Sequence, residues 1–238
     1  MSGDNVLMRT AIVSAMREEL SAVLALMPDE HKQSVAGRDF WIGHLHGHDV
    51  VAVLSRIGKV AAATTAAVLV ERFKVDRIVF TGVAGGLAPG VEVGHVVVAD
   101  SFLQHDLDAS PIFPKYEVPL YGTDRFATDA ALSAQLAEAC ARALPGSHLH
   151  RGLVISGDRF VATSAESRAL QAALPDALAV EMEGAAFAQV CRDYGVPFAA
   201  VRTISDRADD AAHGDFLRFI REVASRHSAA IARALLDG

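Results

Sequence analysis

The chain has 238 residues, 51% of them hydrophobic, and a formal net charge of −7 at pH 7, which suits one large α/β domain with a substantial core. The acid excess, without a basic stripe, excludes a surface built for nucleic-acid phosphates. No apolar run approaches the roughly 20 residues of a membrane-spanning helix, and the polar start Met1-Ser2-Gly3-Asp4-Asn5 does not read as a secretion signal.

Residues 1–7 are expected to form a flexible tail. Short β-branched runs then alternate with Ala- and Leu-rich stretches. Arg9–Ala15 predicts a strand, and Arg17–Leu26 a helix with acids in its first turn, where the helix dipole favours them. Phe40–His46 and Asp49–Ser55 predict a hairpin around Gly47-His48. Lys59–Phe73 predicts a helix, Arg77–Thr81 a strand ending at Gly82-Val83-Ala84-Gly85-Gly86, and His95–Ala99 another strand. From Leu107 to Phe126 the chain carries Pro111, Pro114, Pro119 and Gly122 and reads as a long irregular loop, a length often tied to function. The second half predicts helix over Thr128–Ala143, strand over Leu149–Ile155, helix over Ala165–Ala173 and strand over Leu178–Glu181. Helix over Gly184–Tyr194, strand over Phe198–Thr203 and a final helix over Asp215–Leu236 follow. With no repeat or linker, this rhythm predicts a single-domain three-layer α/β/α fold around a mixed, mainly parallel sheet. Cys140 and Cys191 fall in helical contexts and read as buried free thiols, suited to a reducing cytoplasm.

Two strands end in acids: Leu178-Ala179-Val180-Glu181-Met182-Glu183 and Phe198-Ala199-Ala200-Val201-Arg202-Thr203-Ile204-Ser205-Asp206. In an open α/β sheet, ligands bind at the C-terminal edge of the strands. An acid there is partly desolvated and can hold a proton near neutrality; Asp206 is equally well placed as a helix N-cap. Glu181 and Glu183 share a face of an extended strand end. They suit the hydroxyls of a sugar, since ionised carboxylates only accept hydrogen bonds, or they are first-turn helix acids. Glu18 and Glu19 carry the same two readings, helix acid or base for a water molecule. The glycine cluster follows a strand but precedes another strand, so the dinucleotide-binding context fails; it reads as a tight turn or as backbone lining a pocket. His44, His46 and His48 alternate in the hairpin without a carboxylate or cysteine at ligand spacing, and read as solvated side chains rather than a metal site.

Several segments together resemble the 5′-methylthioadenosine/S-adenosylhomocysteine nucleosidases of the nucleoside phosphorylase superfamily. They are Ser14-Ala15-Met16-Arg17-Glu18-Glu19, Ile57-Gly58-Lys59-Val60-Ala61-Ala62, Thr81 to Pro89, His105-Asp106, Ser156-Gly157-Asp158-Arg159-Phe160, Val180-Glu181-Met182-Glu183-Gly184 and Val201 to Asp206. They stand in family order over nearly the whole chain. The resemblance implies a nucleoside phosphorylase-like fold and hydrolysis of an N-glycosidic bond, with no cofactor and no metal. It implies Asp206, supported by Ser205, as general acid at N7 of adenine. It implies Glu19 as the base for the attacking water, with Arg202 helping to place that water. Glu183 would hold the ribose hydroxyls, Met182 would pack on the sugar, Phe160 would stack on the base and the backbone of Val161 would read its polar edge. Ile57 would line the pocket near the 5′ substituent, and Val83, Ala84 and Gly85 would line the site. The resemblance also implies a cytoplasmic homodimer, with the 107–126 loop near the partner's pocket.

Three positions depart from the family pattern: Val83 replaces a serine, Arg56 replaces a glycine, and the stretch Ala109–Leu120 is unlike the bacterial versions. A phosphorylase needs cationic and N–H donors for phosphate. Glu18 and Glu19 favour hydrolysis, while Arg17 and Arg56 leave phosphorolysis open. A futalosine-type nucleosidase and a non-catalytic binding or storage protein of the same fold are the remaining alternatives.

Overall fold

The computed structural model describes residues 8–237, and the tail expected over 1–7 lies outside them. In chain order the first half comprises β1 (Thr10–Ser14), α1 (Arg17–Leu24), β2 (His31–Val35), β3 (Arg38–Leu45), β4 (His48–Leu54), α2 (Lys59–Phe73), β5 (Arg77–Gly86) and β6 (Val96–Gln104). The second comprises β7 (Arg125–Ala127), α3 (Ala130–Ala143), β8 (Leu149–Ser156), α4 (Ser164–Ala173), β9 (Ala177–Glu181), α5 (Gly184–Tyr194) and β10 (Phe198–Asp206). Then come α6 (Ala212–Phe219), a π-helical turn Ile220–Ala224 and α7 (Ser225–Leu236).

Strand alternation sorts the core into two layers. Ala11, Val13, Ile78, Phe80, Phe198 and Ala200 pack with Ala62, Ala66 and Leu69 of α2 and Phe187 and Ala188 of α5. Their neighbours Val79, Ala199 and Val201 pack with Leu132 and Leu136 of α3 and Ile231 and Leu235 of α7. Helices therefore cover both faces of one mixed sheet. On α2 the buried positions Ala62, Thr65, Ala66, Leu69 and Phe73 keep helical spacing, and the helix stops at Lys74 in the left-handed region. Asp129 and Thr163 cap α3 and α4 through their side chains.

The sheet order is β10-β6-β8-β9-β5-β1-β4-β3-β2, with β7 beside β6. β4, β1, β5 and β10 are parallel neighbours, so their C-terminal ends share one edge. β10 also pairs with β6, β6 with β8, β8 with β9, and β9 with the far end of β5. Five strands thereby close into a ring. Closure depends on Gly85 and Gly86, which pair with Val180 and Ala179. A Cβ on Gly86 would sit 2.7 Å from the Val91 carbonyl oxygen, and one on Gly85 would sit 2.9 Å from Asp206 Oδ1; only glycine permits both approaches.

The glycine cluster is thus the end of a strand rather than a turn, because β10 pairs along Gly82–Gly85 and β9 takes Gly85 and Gly86. β10 likewise runs on to Asp206. The edge strand β2 and the short β7 have mixed, largely exposed sequences that carry no strand pattern. The final helix begins at Ala212 and is interrupted by the π turn. Between Leu107 and Asp124 the only pairing among the described residues is an isolated Val118–Thr123 bridge. None of the described helices is long and apolar enough to cross a membrane.

Candidate active site

The shared strand edge opens into a cavity of about 450 Å³. After β1 come Ala15 and Met16; β5 contributes Val83, Ala84 and Gly85; β9 delivers Val180 to Glu183, and β10 delivers Ser205 and Asp206. Arg159, Phe160 and Val161 enter after β8, Ile57 enters after β4, and α6 adds His213, Phe216 and Leu217. Phe160 lies edge-to-face on Phe216, with ring centroids 5.6 Å apart.

Asp206 is buried at the end of β10. Its Oδ2 accepts from the Ser205 hydroxyl at 2.8 Å and its Oδ1 from the Ala208 N–H at 2.8 Å. Burial raises its pKa above the ordinary aspartate value, while those two donors pull the other way. Asp206 thus turns its carboxylate both to the cavity and to the chain that follows it.

Glu181 and Glu183 also line the cavity, but their surroundings differ. Glu181 accepts from Arg202 Nη2 at 2.8 Å and Nε at 3.3 Å, and from the backbone N–H groups of Glu183 and Gly184 at the start of α5. The Ser156 hydroxyl donates to it as well. Its acceptor capacity is spent inside the protein. Glu183 Oε1 accepts from the Gly58 N–H at 2.9 Å. Burial first, and the neighbouring Glu181 charge second, push Glu183 well above the usual carboxylate range. Of the two acids, Glu183 is the one with acceptor capacity to offer a ligand.

Glu19 and Arg202 stand one layer behind the cavity lining. Glu19, on the first turn of α1, is fully buried. Its Oε2 accepts from the Met16 N–H at 3.0 Å and its Oε1 from the Ser228 hydroxyl at 2.9 Å. Burial raises it to about 7, against those hydrogen bonds and the charge of Arg202. Arg202 lies under the site, its guanidinium 4.1 Å from the Phe80 ring centroid, with Nη1 donating to the carbonyls of Phe80 and Val201. Its charge reaches both Glu19 and Glu183.

The remaining sequence candidates fall into place around these acids. Val161 is buried, whereas Ile57 is 60% and Phe160 40% exposed at the mouth. Val83 packs with Met16, Phe216 and Phe219, so the departure from serine extends an apolar patch. Arg56 donates to the Gly37 carbonyl, away from the cavity lining. His44 and His46 turn to separate carboxylates, Asp29 at 2.6 Å and Asp237 at 2.7 Å. Sequence reasoning missed Ser228, a hydroxyl on a buried position with no motif around it; it included the Ser156–Phe160 segment without giving Ser156 or Arg159 a role, and it missed His213, Phe216 and Leu217. The apolar spacing of α6 was the only signal for the last two.

The phosphorylase superfamily pattern matches residues 9–237. The chain is similar to the 5′-methylthioadenosine/S-adenosylhomocysteine nucleosidase of Neisseria meningitidis in complex with methylthio-immucillin-A. The two are 35% identical over 97% of this chain and 99% of that one, with a TM-score of 0.91. It is similar to the Streptococcus pyogenes S-adenosylhomocysteine nucleosidase in complex with 5-methylthiotubericidin, at 36% identity over 99% and 98% with a TM-score of 0.90. The chain belongs to the phosphorylase superfamily, in the branch of these nucleosidases. A Helicobacter pylori futalosine hydrolase is also similar, at 32% identity over 97% and 98% with a TM-score of 0.90. The superfamily match spans all the cavity-lining segments.

Two expectations follow from the buried charges. Arg202→Met leaves Glu181 buried without its cation, and urea unfolding should show a loss of about 3–5 kcal/mol; an unchanged midpoint would remove the pair from the foundations of the site. Glu19 has a folded pKa above its unfolded value. The stability tied to its protonated form is therefore full below about 4.5 and is lost as pH rises through about 7. From pH 5 to pH 8, the unfolding free energy of Glu19→Gln should gain on that of the unaltered protein by on the order of 1–3 kcal/mol. A difference independent of pH would contradict the buried, proton-holding carboxyl.

Proposed function

We propose that this protein hydrolyses the N-glycosidic bond of 5′-methylthioadenosine or S-adenosylhomocysteine, releasing adenine and the thioribose product. The observation that carries this reading is the placement of Asp206 and Glu183 on one buried cavity, at the ends of different strands. Breaking the C1′–N9 bond builds negative charge on the purine and positive charge on the sugar. Asp206, held by Ser205, gives its proton to N7 of the departing base. Glu183 accepts from the ribose hydroxyls and steadies the cationic sugar. A water oxygen bonds to C1′ and its proton goes to Glu19, whose pKa near 7 suits a base at neutral pH. Phe160 stacks on the base, the Val161 backbone reads its edge, Met182 packs on the sugar and Ile57 lines the 5′ end. Arg202 acts from beneath, through Glu181 and through its charge on Glu19, rather than by touching water itself.

Hydrolysis is favoured over phosphorolysis by where the cations are spent. The donors of Arg202 go to Glu181 and to backbone carbonyls, and Arg159 of the lining pairs with Glu166. The similar futalosine hydrolase supports a second reading within the same chemistry, a nucleoside with a different 5′ substituent. Adenine release from a nucleoside panel, with and without phosphate, tests both. We expect release from methylthioadenosine that does not depend on phosphate; a sugar 1-phosphate product would overturn hydrolysis. Asp206→Asn should lower kcat by about 10²–10⁴-fold with the fold intact, the span of one proton-transfer group. Near-normal turnover would refute the acid.

The same reading takes residues 1–238 as one nucleosidase domain, in the cytoplasm, where Cys140 and Cys191 stay as the buried free thiols observed. It also takes the protein as a homodimer. Ile112 and Leu120 of the 107–126 loop are 82% and 92% exposed, and Ile57 and Val60 near the cavity mouth 60% and 80%, an apolar set that a second copy would cover. Ile112→Asp with Leu120→Asp should convert the dimer to monomer in sedimentation velocity and raise KM for the thio-nucleoside. A variant of unchanged mass and KM would exclude the loop from the interface.

A further inference from the structure

The Arg56–Lys59 turn meets the cavity through Ile57 and starts α2, yet that helix has no acid in its first turn and no side-chain cap of its own. Its free N–H groups are met from other elements. The Gly58 N–H donates to Glu183 Oε1 at 2.9 Å, and the Lys59 N–H to Asp158 Oδ1 at 2.7 Å. Two carboxylates thus serve the positive end of one helix dipole. Gly58 has φ +94, and a Cβ there would sit 3.0 Å from Asp158 Oδ1, so the turn is closed tightly on that acid.

The side chain of Lys59 fastens the arrangement from outside. Its Nζ donates to Asp106 Oδ1 at 2.6 Å and to Gln104 Oε1 at 3.0 Å. Asp106 Oδ2 accepts from the Asp158 N–H at 2.8 Å, and Gln104 is held in turn by Gln189 of α5 at 2.9 Å. Lys59 is 16% and Asp106 32% exposed in their side chains, so this is no loose surface pair. Burial opposes charge on Asp106, but the Lys59 ammonium and the Asp158 N–H outweigh it and hold the carboxyl below its usual value. The ends of β6 and β8 and the start of α2 are joined by these contacts, and the Gly58 N–H is what they present to Glu183.

We propose that Lys59, Asp106 and Asp158 form a positioning clamp that presses the Gly58 N–H onto Glu183 and so fixes the carboxylate that grips the sugar. The inference rests on the sugar role proposed for Glu183. None of the three is a catalytic residue; they act through Gly58. With one Glu183 oxygen pinned, the other is aimed, and a sugar hydroxyl finds an acceptor already in place. Without the clamp, the turn relaxes and Glu183 swings among rotamers.

The test compares Lys59→Met and Asp106→Asn with the unaltered enzyme on methylthioadenosine and on its 2′,3′-dideoxy analogue. Each variant should lose about 10- to 100-fold in kcat/KM on the ribonucleoside, the worth of one charge-assisted hydrogen bond, and no more than about twofold on the dideoxy analogue, where Glu183 has nothing to hold. Lys59→Arg, which keeps the cation, should recover most of the loss. Binding of free adenine, which has no sugar, should stay within about twofold and so report an intact cavity. Equal losses on both nucleosides, or none on the ribonucleoside, would overturn the clamp. An unaltered enzyme indifferent to the two hydroxyls would overturn the sugar role of Glu183 first and the clamp with it.

Discussion

The buried pair of Arg202 and Glu181 is the constraint around which the site is arranged. Two acids two residues apart at a strand end, both out of water, repel each other strongly. Arg202, rising from β10 beneath them, meets Glu181 at 2.8 Å with both side chains almost wholly buried. Such a pair recovers its desolvation cost only if its remaining donors and acceptors are satisfied. Here Phe80 and Val201 carbonyls take both Nη1 protons, and Ser156, Glu183 and Gly184 complete the carboxylate. The result ties β10 to β9 across the ring and sets the start of α5. It also leaves Glu183 as the acid with capacity to spare.

Burial then differentiates carboxyls of the same chemical kind. Glu19 and Asp206 are both raised by desolvation, but each is met by its own pair of donors, Met16 and Ser228 for one, Ser205 and Ala208 for the other. The hydrogen bonds described for both come from backbone N–H groups and serine hydroxyls. An acid in that condition holds its proton longer than one in water and releases it when charge develops beside it. In the proposed reaction one of them donates to the purine and the other receives from water. The fold supplies the difference by position alone: Asp206 opens on the cavity, and Glu19 stands behind Met16.

Much of this was legible in the sequence because the strands carry it. The run ending at Glu181 is unbroken apolar, the run ending at Asp206 begins with the apolar Phe198–Val201, and the acidic ends stand out against both. α2 and α5 have the expected bounds because helical spacing and their stops agree. The glycine cluster lines the cavity as one of its two readings held, but its strand character was hidden, because it comes from β10 and β9, partners more than 90 residues away in the chain, and local composition holds no trace of them. Glu181 and Glu183 look alike in sequence; only the approach of Arg202 to one and Gly58 to the other divides their work. Ser228 was invisible for the same reason, since its value lies in facing Glu19 across two helices. What the sequence withholds is contact between elements that are distant along the chain, and that is where this site is decided.

The same geometry bears on why one superfamily architecture holds both phosphorylases and hydrolases. A phosphate nucleophile must be seated by cations and N–H donors in the cavity. In this chain Arg202 is spent on Glu181, and Arg56 turns outward to Gly37. Val83 adds to an apolar patch with Met16 and Phe219 where a hydroxyl would have offered a polar contact. On the sugar side, the buried acids Glu183 and Glu19 offer an anion no cation to pair with, and a neutral water molecule needs none. In this chain the contact of Arg202 with Glu181 beneath the cavity takes one guanidinium out of that phosphate-seating role, with no change in the fold.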